Sequence, residues 1–409
     1  MKLPLPFILR ARTGCVLALL ATSLLAGAPL AHAAKRVHQS PPAKTLPTFD
    51  YSGEFVNFGD WKEVSLFLDD MVSRHGFERG ALDALFAQVR HVDSAIQLIK
   101  PAPPGKPKNW QAYSRRFVEP VRIAAGVKFW NENAAALARA ESEYGVPADI
   151  IVGIIGVETV YGRNTGRFRV LDTLTTLAFD YPETPTRAAR MAFFRAELES
   201  ALLYARQNGV QPLSLLGSYA GAVGLPQFMP SSILKYAIDF DGDGSIDLRN
   251  SASDAIGSVA NFLLQHGWQG DAARQVVYAA NVSASRSWEG LTGLGLQATL
   301  HEEDLRAAGV TSDSRLPPGM LFGLVDLQNG AEATEYWLAG NNFFAITEYN
   351  RSYFYAMSVL DLGRAVRQAR AAVAPTAPAA PAIPAIEPDA APAGPTKIVI
   401  VSKRNWHCA

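Results

Sequence analysis

Gly153-Ile-Ile-Gly-Val-Glu158-Thr-Val-Tyr-Gly162 decides how this chain is read, because it sets one carboxylate among apolar residues at helical spacing. Pro147 after Val146 fits a first helical position, Asp149 falls in the first turn, and the apolar run Ile150 to Val157 follows. On such a helix Ile151, Ile154, Ile155 and Glu158 share one face, so Glu158 stands where a leucine is ordinarily found. Burial and the partial negative charge at a helix C-terminus both disfavour the ionised form, so the pKa is expected to rise. A neutral glutamic acid near pH 7 can donate a proton. The structural alternative is a glutamate paired with a cation at the helix end, such as Arg163.

Outward from this segment the chain runs to 409 residues, enough for two or more domains, with 38 basic and 38 acidic side chains in balance. A dedicated nucleic-acid binder usually carries a basic excess, so that class is not expected. Lys2, Arg10 and Arg12 precede the apolar run Val16 to Leu25, and Ala31-His-Ala33 supplies a small-residue cleavage site. Residues 1–33 are therefore expected to be an export signal rather than a membrane span, with an uncleaved anchor as the alternative. Cys15 would leave with that signal, and Cys408 alone would remain, without an intramolecular partner.

Residues 34–48 form a polar, Pro-rich leader, 49–371 the folded region, 372–395 an extended Ala/Pro linker, and 396–409 a short tail without an assigned role. Within the folded region, helices are expected over 61–75, 81–86, 124–144, 147–158, 187–208, 252–265 and 360–371. Strands are expected at 275–278, 320–326, 334–338 and 343–346. The fold class is mainly α (α+β).

Three further segments carry chemistry. Gly217-Ser218-Tyr-Ala-Gly-Ala-Val-Gly-Leu-Pro-Gln227-Phe-Met-Pro230 allows close backbone approach to a ligand and offers Ser218 and Gln227 as hydrogen-bonding groups. By itself it is equally the pattern of a tight connection. Asp239-Phe-Asp241-Gly-Asp243-Gly-Ser245 matches the start of a calcium loop, with oxygens at positions one, three and five and a backbone carbonyl at seven. Asn250 replaces the usual glutamate at position twelve, and Asp254 is the candidate closing ligand, giving a loop over 239–254. Glu348-Tyr349-Asn350, with Tyr353, Phe354 and Tyr355, places aromatic rings beside an amide, as does Tyr113 near Trp110. Such surfaces suit sugars, although aromatic residues of this kind more often belong to a core. Serine-hydrolase, zinc-protease and phosphate-loop signatures are absent, and the seven histidines lack metal-ligand spacing.

In this order, Gly-Ile-Ile-Gly-Val-Glu158-Thr, Arg169-Val-Leu-Asp-Thr-Leu174, the loop from Ser218 to Pro230, the Asp-rich turn, Asp254-Ala-Ile-Gly-Ser-Val-Ala-Asn261, His266-Gly-Trp268 and Tyr349-Asn350 resemble the lytic murein transglycosylase B family. The resemblance spans about Phe49 to Ala371. It implies a lysozyme-like catalytic core with an additional helical domain and a small β domain, and a structural Ca2+ held by Asp239, Asp241, Asp243, Ser245 and Asp254. It implies Glu158 as sole acid/base, and Tyr113, Ser218, Gln227, Tyr349, Asn350 and Tyr355 as glycan-holding residues. The implied partners are peptidoglycan glycan strands, with cell-wall synthesis or divisome proteins as candidate recruiters, and the implied location is the periplasm of a Gram-negative bacterium. Two positions depart from the family pattern. Arg187 and Arg190 stand displaced from paired arginines that can follow Tyr-Pro and meet peptide stems, and Phe262 replaces a cleft tyrosine. A muramidase, which needs a second carboxylate across the cleft, and a non-catalytic glycan-binding scaffold are the alternatives.

Overall fold

The computed structural model describes residues 57–101, 105, 107–270 and 275–373. The expected export signal, leader and tail lie outside these residues, as does the linker from 374 on; its first two residues, 372 and 373, end the last helix. The chain divides into two units at Val373, and the first contains every element below except that last residue of the final helix.

Helices α1 (Lys62–His75), α2 (Arg79–Phe86) and α3 (Asp93–Ile99) open the fold, followed by the short α4 (Trp110–Ser114). The expected 124–144 helix is two: α5 (Pro120–Glu132) and α6 (Ala134–Tyr144). Asn133 interrupts them, leaving helical geometry at φ −116° while its side-chain amide donates to the Phe129 carbonyl. Next come α7 (Ala148–Thr159), the two-residue strand β1 (Phe168–Arg169), α8 (Val170–Phe179) and α9 (Arg187–Gln207). Pro147 is the N-cap of α7, not its first helical residue, with ψ 141°. Then β2 (Leu216–Gly217), α10 (Pro230–Tyr236), α11 (Ala252–Gln265) and β3 (Val277–Val282) follow. The chain continues through α12 (Glu302–Ala307), β4 (Val310–Thr311), β5 (Gly323–Asn329), β6 (Glu332–Ala339), α13 (Asn341–Thr347) and α14 (Tyr353–Val373). Thus 343–346, expected as a strand, is helical. Phe343 to Thr347 are all buried, so tertiary packing overrides the strand preference of an aromatic, Ile-containing run.

Every residue of α7 except Glu158 is buried, so this is a central helix rather than a surface helix with one apolar stripe. α5, α6 and α11 pack around it. α14 crosses it antiparallel at backbone contact: a Cβ on Gly153 would lie 2.3 Å from the Val359 carbonyl oxygen, and one on Gly363 would lie 2.2 Å from that of Asp149. Only glycine permits this approach. It brings the last turn of α7 beside the first turn of α14, which places Glu158 next to Tyr355.

The N-terminal helices dock on α8 through polar contacts with buried side chains. The Arg90 amide donates to Asp172 and the Val92 amide to the Thr176 hydroxyl, while Arg169 pairs with Asp172 at 2.6 Å. Farther along, an antiparallel sheet in the order β4-β3-β6-β5 has its own small core of Tyr278, Trp288, Leu305, Val310, Phe322, Leu324 and Leu338. The end of β5 grips α4: the side-chain carbonyl of Asn329 accepts from the Gln111 amide, and Asn109 donates to the Asn329 backbone. The sheet thereby fixes the helix that carries Tyr113.

Candidate active site

α7 ends immediately past Glu158, and the chain turns sharply. Val160 and Tyr161 both adopt left-handed conformations, at φ 52° and 58°, an uncommon geometry for a β-branched residue and one held by the surrounding packing. Thr159 anchors the turn. Its hydroxyl lies 3.0 Å from the Leu225 carbonyl oxygen and accepts from the Gly162 amide. The residue after the carboxylate therefore joins the helix end to the 218–230 loop.

Glu158 keeps partial access to solvent, while its carboxyl group is closely surrounded by protein. Desolvation raises its pKa to about 7, against the opposing effect of the Tyr355 hydroxyl, which donates to Oε1 at 2.7 Å. The Arg163 pairing considered from sequence does not form, and Glu158 makes no ion pair among the described residues. No second carboxylate contributes to its titration. The group is poised as a proton donor that can also become a base.

The aromatic residues predicted from sequence gather around it in different roles. Tyr355 touches the carboxylate, and Tyr349 stacks on Tyr355 with ring centres 6.3 Å apart. The hydroxyl of Tyr349 donates to the Pro226 carbonyl at 2.6 Å, so this buried residue anchors the 218–230 loop. Tyr113 packs against Phe117 and Phe354, and burial, with a smaller contribution from the charge on Glu158, raises its pKa. Its hydroxyl is enclosed without a hydrogen-bond partner among the described residues. Asn350 is half-buried in the turn leading into α14.

The loop itself is tightly folded. Ser218 accepts from the amides of Ala220 and Ala222, which leaves its hydroxyl proton to donate elsewhere. Gln227 adopts φ 51°, and its side-chain amide donates to the Gly224 carbonyl at 2.8 Å and approaches that of Thr165 at 3.4 Å. Phe262, in place of a tyrosine, packs edge-on against Tyr349 at 4.8 Å. The arginines of α9 face elsewhere: Arg187 donates to the Tyr181 carbonyl and pairs with Glu183, while Arg190 lies over the rings of Tyr181, Phe193 and Phe194. Arg187 also lines an open pocket of about 430 Å³ with Thr184, Pro185, Met191 and Arg195, which contains none of the residues gathered at Glu158.

In the acidic loop, carboxylate oxygens of Asp239, Asp241 and Asp254 come within 4.8 Å of one another. Asp254 is buried in the first turn of α11 and accepts from the amides of Phe240 and Asp247. Asp239 accepts from the Gly242, Asp243 and Gly244 amides, which hold its pKa below the usual range. Asp243 turns to cap the Ser245 amide and lies outside the three-carboxylate group. Hard oxygen donors converging within one loop fit a Ca2+ ion, whose charge would offset their mutual repulsion.

A family model described as the transglycosylase SLT domain matches residues 59–364. The chain belongs to that family. It is 43% identical over 328 residues to the membrane-bound lytic murein transglycosylase B of Escherichia coli K12, covering 78% of this chain and 85% of that one. Among solved structures, soluble lytic transglycosylase SltB1 from Pseudomonas aeruginosa is 45% identical with a TM-score of 0.69, over 76% of this chain and 99% of its own. The Escherichia coli lytic transglycosylase Slt35, solved in complex with calcium, is 41% identical with a TM-score of 0.68, over 80% and 99%. This SLT-domain chain is accordingly a lytic transglycosylase, mainly α with a lysozyme-like core. Among the described residues of this transglycosylase, no helix is long and apolar enough to cross a membrane.

Sequence reasoning missed the two tyrosine hydroxyls' different partners, and it missed Arg249. The guanidinium of Arg249 donates to the carbonyls of Leu216 and Gly166, next to the loop that carries Ser218. An arginine two residues beyond an Asp-rich turn carried no motif to mark it.

Proposed function

We propose that this chain cleaves the β-1,4 bond between N-acetylmuramic acid and N-acetylglucosamine in peptidoglycan without consuming water, leaving 1,6-anhydro-N-acetylmuramic acid ends. The observation that carries the proposal is a single carboxyl group, Glu158, raised to a pKa of about 7 and lacking a second carboxylate that influences it. Ordinary glycosidases use two carboxylates. Here neutral Glu158 gives its proton to the oxygen leaving C1 of the muramic acid, and the sugar's N-acetyl group supports the developing positive charge. Ionised Glu158 then takes the proton of the C6 hydroxyl as that oxygen attacks C1 and closes the anhydro ring. An attacking hydroxyl on the same sugar has a large entropic advantage over solvent, which removes the need for a carboxylate to activate water.

Tyr355 stabilises the ionised interval, because its hydrogen bond favours the carboxylate form. Ser218, Gln227, Asn350 and Tyr113 supply polar and aromatic contacts along the glycan, while Tyr349 holds the loop in place. The acidic loop takes Ca2+ through Asp239, Asp241 and Asp254, whose carboxylates converge, and the ion's role is structural. With the signal removed, the enzyme works in the periplasm on glycan strands. Glu158→Gln is expected to retain peptidoglycan binding and lose cleavage; cleavage by that variant would overturn the assignment.

A further inference from the structure

We propose that Arg249 is a positioning residue that couples cation binding at the 239–254 loop to glycan affinity in the cleft; this rests on the glycan-cleaving reading above. The acidic loop and the 218–230 loop are distinct segments, yet one short stretch, Asp247 to Arg249, bonds to both. On the cation side, the Asp247 amide donates to Asp254 Oδ2 at 2.8 Å, and Asp247 Oδ1 accepts from the Arg249 amide at 2.9 Å. On the cleft side, the Leu248 carbonyl accepts from the Leu225 amide at 2.8 Å. Arg249 reaches farther, with Nη1 3.1 Å from the Leu216 carbonyl oxygen and Nη2 3.2 Å from that of Gly166.

Those two carbonyls belong to two separate segments that border the cleft loop, one entering β1 and one in β2. Leu216 leads directly into Gly217 and Ser218, while Gly166 follows Thr165, whose carbonyl faces the side-chain amide of Gln227. The segments are crowded together: a Cβ on Gly166 would meet the Gly217 carbonyl oxygen at 2.0 Å, and one on Gly224 would meet that of Leu248 at 2.3 Å. The junction therefore transmits displacement rather than absorbing it. A shift of the Asp254 carboxylate on cation binding would pass through Asp247 to Arg249, whose guanidinium sets the spacing between the segment leading into Ser218 and the segment whose Thr165 carbonyl faces Gln227. Coupling of this kind is reciprocal, so glycan bound in the cleft must tighten cation binding by the same factor.

The test uses the full-length mature chain carrying Glu158→Gln, so that sugar is bound without turnover, and measures Ca2+ affinity by calorimetry with and without saturating chitotetraose. Chitotetraose is expected to tighten Ca2+ about fivefold or more, and Ca2+ to tighten chitotetraose equally. Adding Arg249→Met, which keeps the side chain's bulk and removes its donors, is expected to leave Ca2+ binding without sugar within about twofold and to bring the coupling factor close to one. If that variant does not fold, Arg249→Lys, retaining one donor group, is expected to give an intermediate factor. Binding of both ligands with no coupling in the parent, or with undiminished coupling in either variant, overturns the proposal alone. No binding of chitotetraose by the parent overturns the glycan reading and this proposal together, whereas binding of chitotetraose without any binding of Ca2+ overturns this proposal alone.

Discussion

At the residue scale, the proposed chemistry depends on keeping one carboxyl group neutral, and this has a stability consequence. The folded chain holds the Glu158 proton more tightly than the unfolded chain does, with a pKa of about 7 against 4.5. Below pH 4.5 both states are protonated and the group imposes no penalty. As pH rises from 4.5 through 7 the unfolded chain ionises first, so stability is lost across that window, by about 3 kcal/mol in all. Glu158→Gln removes the titration. Urea unfolding at pH 4.5 and pH 8 should show the variant gaining about 3 kcal/mol relative to wild type between the two conditions; parallel changes would place the carboxyl group in an aqueous setting. The same shift makes the acid form scarce above pH 7, so cleavage should decline there. The position of Glu158 was legible in the sequence, because an acid inside an apolar helical run is conspicuous. The role of Tyr349 was not, because its donation to Pro226 joins residues 123 positions apart.

At the element scale, the antiparallel contact of α7 and α14 determines where the acid meets Tyr355. A glycine-to-alanine change inside a helix ordinarily stabilises it by about 1 kcal/mol. At Gly153 the added methyl would sit 2.3 Å from the Val359 carbonyl oxygen, so the helices must separate. Gly153→Ala is therefore expected to destabilise the protein by roughly 1–3 kcal/mol in urea unfolding, and to reduce cleavage by displacing Tyr355 from Glu158. A variant as stable and active as wild type would mean that the crossing has slack. Much of α7, α9 and α11 was readable from apolar runs and caps, whereas α8 was not. Its three threonines, Thr173, Thr175 and Thr176, are weak helix formers, and the element is fixed by being buried on all sides between neighbours. The helix over 341–347 was misread for the reverse reason: strand-favouring residues are held helical by their surroundings.

At the scale of the whole molecule, a small antiparallel sheet braces the helical body that carries the carboxyl group. The sheet acts through Asn329 on α4 and hence on Tyr113, and the acidic loop acts through Leu248 and Arg249 on the segments beside Ser218. A sequence pattern identifies such parts singly, but their joining through backbone carbonyls follows no local rule. If Ca2+ holds the acidic loop together, adding a chelator to protein shown beforehand to be calcium-loaded should lower the melting temperature by roughly 5 °C. An unchanged transition would count against the site.

The central claim is that one carboxyl group carries both proton transfers and that the sugar's own hydroxyl replaces water. Purified peptidoglycan should therefore be digested by the signal-free protein in H2 18O, and the released muropeptides analysed by mass spectrometry. The mechanism predicts anhydro-muramyl ends free of 18O; reducing ends heavier by one water and carrying 18O would contradict it.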